Sequence, residues 1–189
     1  MLTIAWDVDD VLNDLMASWF EVFCQFEKPS CELGYSELVQ NPPHKVLGIS
    51  LDAYLKSLDR FCDGGGDGRL RVNTAIQEWM RTEGRRCRHI GVTARHSGIS
   101  SLRAWVAQHF GLQVYTPLAS RTAWLSKGIF LQREYPERDV ILVDDSTEMV
   151  KDAWGCGINA VLYPQPWNES EQSVSDLLEF LGRKVCETI

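Results

Sequence analysis

From residue 74 onward the chain alternates helix-like and strand-like segments with little between them, and that rhythm constrains the fold more than any other feature. Thr74 to Glu83 has helical spacing and leads to the apolar strand His89–Val92. Ile99–Phe110 leads to Gln113–Tyr115, Arg121–Arg133 to Val140–Val143, and Thr147–Trp154 to Ala160–Tyr163. An amphipathic helix over Ser173–Lys184 closes the series. Ahead of it stands one more apolar strand, Leu2–Trp6. Strands that alternate with helices are joined by right-handed crossovers and pair in parallel, with helices on both faces. The expectation is an α/β, Rossmann-like three-layer fold. Residues 1–13 and 74–189 form its core.

Residues 14–73 do not share the rhythm. A helix is expected from about Asn13 to Phe26, with Leu12, Met16, Trp19, Phe20 and Phe23 at helical spacing. Beyond it the pattern is broken by Pro29, Pro42 and Pro43, Ser50–Phe61 reads as a second helix, and Asp63-Gly64-Gly65-Gly66-Asp67-Gly68 as a loop. This stretch is read as a small helical cap inserted after the first strand. The glycine run lacks the Gly-Lys-Ser/Thr ending of a P-loop and is expected to be a flexible connection from cap to core.

A chain of 189 residues can bury roughly 70% of its unfolded surface, so it needs no disulfide or structural metal to fold. Its 26 acidic and 19 basic side chains give a formal charge of −7, which provides no general attraction to nucleic acid polymers or anionic lipid. A phosphate-bearing ligand must therefore be held by a local device. None of the six cysteines forms a C-x-x-C pair, and they are read as small packing residues with reduced thiols. Asp7, Asp9 and Asp10 cut short the apolar start, so no signal peptide is expected, and no apolar run approaches the ~20 residues needed to cross a bilayer. A cytoplasmic protein without membrane contact is expected.

In an open parallel sheet the ligand site lies beyond the carboxyl ends of the strands. Strand ends thus single out Asp7, Asp9 and Asp10, then Thr93 and Arg95, then Asp144 and Asp145. Taken singly, an acidic residue after a strand is often only a helix cap. Taken together, Asp7, Asp9, Asp144 and Asp145 would converge at one sheet mouth, where two carboxylates 4 Å apart repel by about 4 kcal/mol at an effective dielectric of 20. Such a cluster needs a cation, and oxygen ligands without histidine or cysteine point to Mg²⁺. Lys127 could add one positive charge and Thr93 a hydroxyl. A carboxylate nucleophile, a second carboxyl to carry protons, a hydroxyl and a lysine around Mg²⁺ are what phosphoaspartyl chemistry requires.

The segment Ile4-Ala5-Trp6-Asp7-Val8-Asp9-Asp10-Val11-Leu12 resembles the first motif of the haloacid dehalogenase-like phosphohydrolases. Val92-Thr93-Ala94-Arg95 resembles their second, Lys127 their third and Ile141-Leu142-Val143-Asp144-Asp145 their fourth, in the same chain order. The resemblance implies that Asp7 attacks phosphorus and that Asp9 protonates the leaving oxygen and then activates water. It also implies phosphoryl binding by Thr93, Ala94 and Lys127. Mg²⁺ would be held by Asp7, the Asp9 backbone carbonyl and Asp144, with Asp145 orienting waters or neighbouring groups. Members that cleave carbon–halogen bonds lack the second aspartate, so Asp9 favours phosphate chemistry on a small phosphomonoester.

A cap between the first and second motifs in a chain this short resembles the 5′(3′)-deoxyribonucleotidases and their bacterial relatives. Pro164-Gln165-Pro166-Trp167-Asn168 is similar to a proline-aromatic-asparagine segment of that group. This implies a (deoxy)nucleoside monophosphate as substrate, with an aromatic on the first cap helix, Trp19 foremost, stacking on the base. Asp10 stands where that group usually carries glycine. Two other readings use the same residues: a non-hydrolytic phosphoacceptor like the response-regulator receivers, and a binding protein of the same fold. Receivers place the acidic pair first and the lysine last, whereas Lys127 precedes the final acidic pair here.

Overall fold

The computed structural model describes residues 1–117, 126–136, 139–168 and 170–187. Strands β1 (Thr3–Asp7), β2 (Arg88–Val92), β3 (Val114–Tyr115), β4 (Val140–Asp144) and β5 (Asn159–Leu162) form a parallel sheet in the order β3-β2-β1-β4-β5. Each strand lies within one or two residues of its expected place. Register puts Ala5 between Ile90 and Leu142, and Trp6 between Gly91 and Val143. The chain winds outward from β1 through β2 to β3, then crosses back to β4 and β5. The reversal falls between β1 and β4, the switch point at which such sheets open a crevice. This order differs from the 2-1-3-4-5 order of receiver domains, which removes topological support from the phosphoacceptor reading.

The helices are α1 (Leu15–Val22), α2 (Leu51–Asp63), α3 (Thr74–Arg81), α4 (Ile99–Phe110), α5 (Lys127–Glu134), α6 (Thr147–Gly155) and α7 (Val174–Glu187). Side chains alternate between the faces of a strand, and the core divides accordingly. Ile4, Trp6, Ile141 and Val143 pack with α3, α4 and α7 through Ile76, Trp79, Leu102, Leu177 and Leu181. Ala5, Ile90, Val92, Val140 and Leu142 pack on the other face with Leu131 of α5 and Ala153 of α6. Helix, sheet and helix therefore make three layers. No helix among the described residues is long and apolar enough to cross a membrane.

Two helix expectations take a more specific form. α1 ends at Val22, and residues 23–27 continue as a wider turn closed by the Lys28 N–H on the Phe23 carbonyl at 2.8 Å. The helix expected from Arg121 is seen from Lys127, and 121–125 lie outside the described residues. The glycine run is a tight turn with a defined shape. Gly64 N–H closes α2 on the Arg60 carbonyl at 2.9 Å, Gly65 takes φ +83°, and a Cβ on Gly66 would lie 2.5 Å from the Phe61 carbonyl oxygen. Only glycine allows the chain to fold back so closely on the helix it has just left.

Residues 14–73 leave and rejoin the sheet at one place. Asn13 and Val72 form an antiparallel bridge, and Asn73 N–H donates to Leu12 O at 3.0 Å. The Asn73 side chain accepts from Ile76 N–H at 3.3 Å, capping α3, and donates to Val11 O at 2.8 Å and the Tyr163 hydroxyl at 2.7 Å.

Candidate active site

Strand parity decides which acids meet. Asp7 shares the β1 face of Ala5, Asp144 shares the β4 face of Leu142, and that face is covered by α5. The first residue of α5 is Lys127, whose helix starts on a Ser126 cap (Ser126 Oγ accepts from Ile129 N–H at 3.2 Å). Lys127 Nζ therefore arrives between the two strand ends, 2.7 Å from Asp7 Oδ1 and 2.7 Å from Asp144 Oδ2. Val8 N–H donates to Asp7 Oδ1 at 2.8 Å, and Ser146 N–H to Asp144 Oδ1 at 2.9 Å. Asp145 is buried beside them, and Asp7, Asp144 and Asp145 each offer a carboxylate oxygen within 4.8 Å of the others.

Three buried carboxylates thus face one ammonium. Burial pushes the Asp7 carboxyl well above its ordinary range; Lys127 opposes this, and Asp144 and Asp145 add to it. Asp145 is pushed up to about 7 by burial, then by Asp10 and Asp144, against the pull of Lys127 and a hydrogen bond from Trp167. Burial draws the Lys127 amine down, but Asp144 and Asp7 outweigh it and the group ends above its ordinary value. The surplus negative charge, made of hard oxygen donors without histidine or cysteine in the cluster, fits a divalent cation such as Mg²⁺.

Asp9 points elsewhere. Both of its oxygens are held by the Arg95 guanidinium, Nε to Oδ2 at 2.9 Å and Nη2 to Oδ1 at 2.7 Å, and Asn13 Nδ2 adds a bond to Oδ1 at 3.1 Å. The third arm of Arg95, Nη1, reaches Asp67 Oδ1 at 2.5 Å, and Asp67 Oδ2 accepts from Ser101 Oγ at 2.5 Å. Thr93 is buried, and its Oγ1 accepts from Arg95 N–H at 3.0 Å, leaving the hydroxyl proton for another partner; Ala94 beside it is exposed. Asp67 escapes a sequence reading because it sits in a glycine-rich loop, far in the chain from its partner.

Asp10 occupies the glycine position of the resembled motif with φ +63°, a conformation that glycine favours. Its side chain compensates by accepting from Met16 N–H at 2.8 Å, which ties the acidic turn to α1. Trp19 requires a correction. It is 1% exposed, stacks on Phe23 at 5.0 Å and donates from Nε1 to Ser57 Oγ at 3.0 Å, so it belongs to the interior of residues 14–73. Phe20 and Phe23 are buried as well. Tyr35, on a short turn of the same stretch, instead meets the loop after β5, through Gln165 and Trp167.

Several solved structures share this architecture. A hydrolase from Streptococcus pneumoniae TIGR4 superposes with a TM-score of 0.64 at 13% identity, covering 95% of this chain and 97% of that one. Mycobacterium tuberculosis Protein Tyrosine Kinase A gives 0.62 at 15% identity, covering 95% and 97%. The putative haloacid dehalogenase-type hydrolase YfnB of Bacillus subtilis, solved with magnesium bound, gives 0.57 at 15% identity and covers 97% of each. The fold is the haloacid dehalogenase-like one. No protein-family model and no curated protein matches the chain.

Proposed function

We propose that the chain is a Mg²⁺-dependent phosphomonoester hydrolase working through a phosphoaspartyl intermediate on Asp7, with residues 14–73 as its cap. The observation that carries this reading is the meeting of Asp7, Asp144 and Asp145 around Lys127 at the switch point of the sheet. The magnesium described for YfnB supports it.

In this reading Asp7 Oδ1 is held by Lys127 and Val8 N–H, and Oδ2 attacks phosphorus as the bond to the leaving oxygen breaks. The leaving oxygen takes a proton from Asp9. Water then attacks the phosphoaspartate, returns a proton to Asp9 and releases inorganic phosphate. Lys127, the Thr93 hydroxyl and the Ala94 backbone N–H hold the transferring oxygens. Asp9 must exchange Arg95 for the leaving oxygen, and Asp67 keeps the buried guanidinium paired while it does.

The donors favour Asp7, Asp145 and the Asp9 carbonyl as ligands of the ion. Asp144 has one oxygen on Lys127 and the other on Ser146 N–H, and in this reading it orients Lys127 while Asp145, with the freer oxygen, faces the ion. Asp145 has its Oδ2 on Trp167, and its Oδ1 is without a hydrogen bond among the described residues. This assignment exchanges the roles expected for Asp144 and Asp145 from the resemblance. When bound, the cation offsets charge on the phosphoryl oxygens. A nucleoside monophosphate is the sharper form of the substrate, and with Trp19 buried it lacks the stacking partner expected on α1.

Hydrolysis of p-nitrophenyl phosphate should require Mg²⁺, stop with EDTA and return on adding Mg²⁺. Asp7→Asn should lower kcat by roughly 10⁴-fold or more, the scale for losing one member of a catalytic unit, with an unchanged far-ultraviolet spectrum. Wild-type turnover in that variant, or full activity after rigorous metal removal, would refute the reading.

A further inference from the structure

We propose that the loop after β5, residues 164–168, is an outer shell of the metal centre, in which Trp167 is a positioning residue for Asp145 and Tyr35 locks Trp167 from the far side. This rests on Asp145 being a ligand of the ion. The loop is built to grip both acidic turns. Asn168 Nδ2 donates to the Asp145 carbonyl at 2.8 Å and the Tyr163 carbonyl at 2.8 Å, while its Oδ1 accepts from Gln165 N–H at 3.3 Å and Ser170 N–H at 3.2 Å. One side chain thereby fixes the turn and fastens it to the backbone of Asp145.

The neighbouring residue then takes the carboxylate: Trp167 Nε1 donates to Asp145 Oδ2 at 2.8 Å. A carboxylate held on one oxygen presents the other in a fixed direction, which is how outer partners tune a metal ligand. Gln165 grips the other turn, with Nε2 donating to the Asp10 carbonyl at 2.5 Å.

Tyr35 completes the arrangement from residues 14–73. Its hydroxyl donates to Gln165 Oε1 at 3.1 Å, and its ring meets the Trp167 indole edge to face at 6.1 Å between centroids and 87°. Both rings are half-buried. The segment between Pro29 and Ile49, which contains one short turn of helix, thus meets the loop that holds Asp145 through the Tyr35 side chain. Metal affinity and the seating of Tyr35 should then be linked, each strengthening the other.

Metal binding without substrate tests this. Mg²⁺ affinity is measured by competition against Mn²⁺, whose free ion is counted by its paramagnetic resonance signal, and each variant's thermal midpoint is recorded. Trp167→Phe keeps the ring against Tyr35 and removes the donor; it should weaken Mg²⁺ about 10- to 100-fold, the usual effect of losing an outer partner. Tyr35→Ala should weaken it about 2- to 10-fold, the scale of one aromatic pair. Trp154→Phe, at an exposed tryptophan remote from the acids, should change nothing. Wild-type affinity in Trp167→Phe, with affinity lost in Asp145→Asn, overturns the positioning role and leaves the metal site standing. Wild-type affinity in Asp145→Asn removes the metal assignment itself. An unchanged Tyr35→Ala overturns the part given to Tyr35.

Discussion

The strand ends and residues 14–73 both send side chains to the acidic centre, but they position them by different means. Asp7 and Asp144 are fixed by a backbone ladder: the register of β1 against β4 sets their height, and strand parity sets their face. Tyr35 is fixed by contacts between residues more than a hundred apart in the chain, a hydroxyl on Gln165 and a ring on Trp167. The first kind of placement follows from local pattern. The second depends on which face of an irregular stretch turns inward, and no local pattern states that. Charges differ in the same way. Lys127 is buried between its acids, whereas Arg71, which pairs with Asp14 and Glu21, is 61% exposed.

The largest stability effect should come from breaking that contrast at its buried end. Lys127→Met leaves Asp7 and Asp144 facing each other without their cation, and removing one partner of a buried pair costs about 3–5 kcal/mol. Part of the loss should return on adding Mg²⁺, because an ion that binds only the folded chain stabilises it. Arg71→Met should cost under about 1 kcal/mol, since exposed pairs contribute little. Urea unfolding of both variants, with and without Mg²⁺, measures the contrast; equal losses would abolish it.

Trp19→Ala tests the other region. Emptying a buried tryptophan site costs about 3–5 kcal/mol. Because Trp19 packs on Phe23 and Tyr54, any fall in specific activity should be equal for p-nitrophenyl phosphate and a nucleoside monophosphate. A selective rise in KM for the nucleotide would place Trp19 against substrate and break the comparison.

The legible part of the molecule divides along the same line. The alternation after residue 74 is enough for four of the parallel strands and their flanking helices, and the apolar run Leu2–Trp6 for the fifth, because burial on both faces leaves apolar runs that repeat between helical periods. The acids at strand ends were legible for the same reason. Trp19 was not: periodicity marks an apolar face of α1 and is silent on whether that face meets a pocket or α2. Asp67 was not either, and Trp167 stood out as part of the 164–168 segment without its role, since each acts through a partner distant in sequence, Arg95 and Asp145. Asp10 lies between the two cases. Its place in the motif was visible, and its φ of +63° was not. Asp10→Ala should cost about 1–2 kcal/mol by losing the cap on Met16 N–H and keeping a left-handed backbone. Asp10→Asn, which tolerates that conformation and can still accept, should be nearly neutral. Thermal midpoints of the pair decide it, and equal losses would mean the cap contributes nothing.

The smallest effect lies at the opposite end of the sheet and asks whether ladder-placed residues outside the site also carry a pH signature. His89 Nδ1 accepts from Trp6 Nε1 at 3.2 Å, so Nε2, 2.9 Å from the Gly84 carbonyl, carries the proton and the ring is neutral. Burial lowers its pKa below the ordinary value, with the Gly84 carbonyl opposing, and the rings of Trp6 and Trp79 flank it without adding charge. A histidine whose folded pKa is depressed leaves stability intact above the unfolded value of about 6.5 and reduces it as pH falls through the folded one. Protonation also breaks the bond from Trp6. The stability difference between wild type and His89→Gln should therefore be constant above about pH 6.5 and should shift against wild type below it, by no more than about 1.4 kcal/mol per pH unit. Urea midpoints of the two proteins across that range measure the difference directly, free of the carboxylates they share. A difference that stays flat down to about pH 4.5 would mean that His89 takes up a proton as readily folded as unfolded, contrary to its buried, bond-accepting Nδ1.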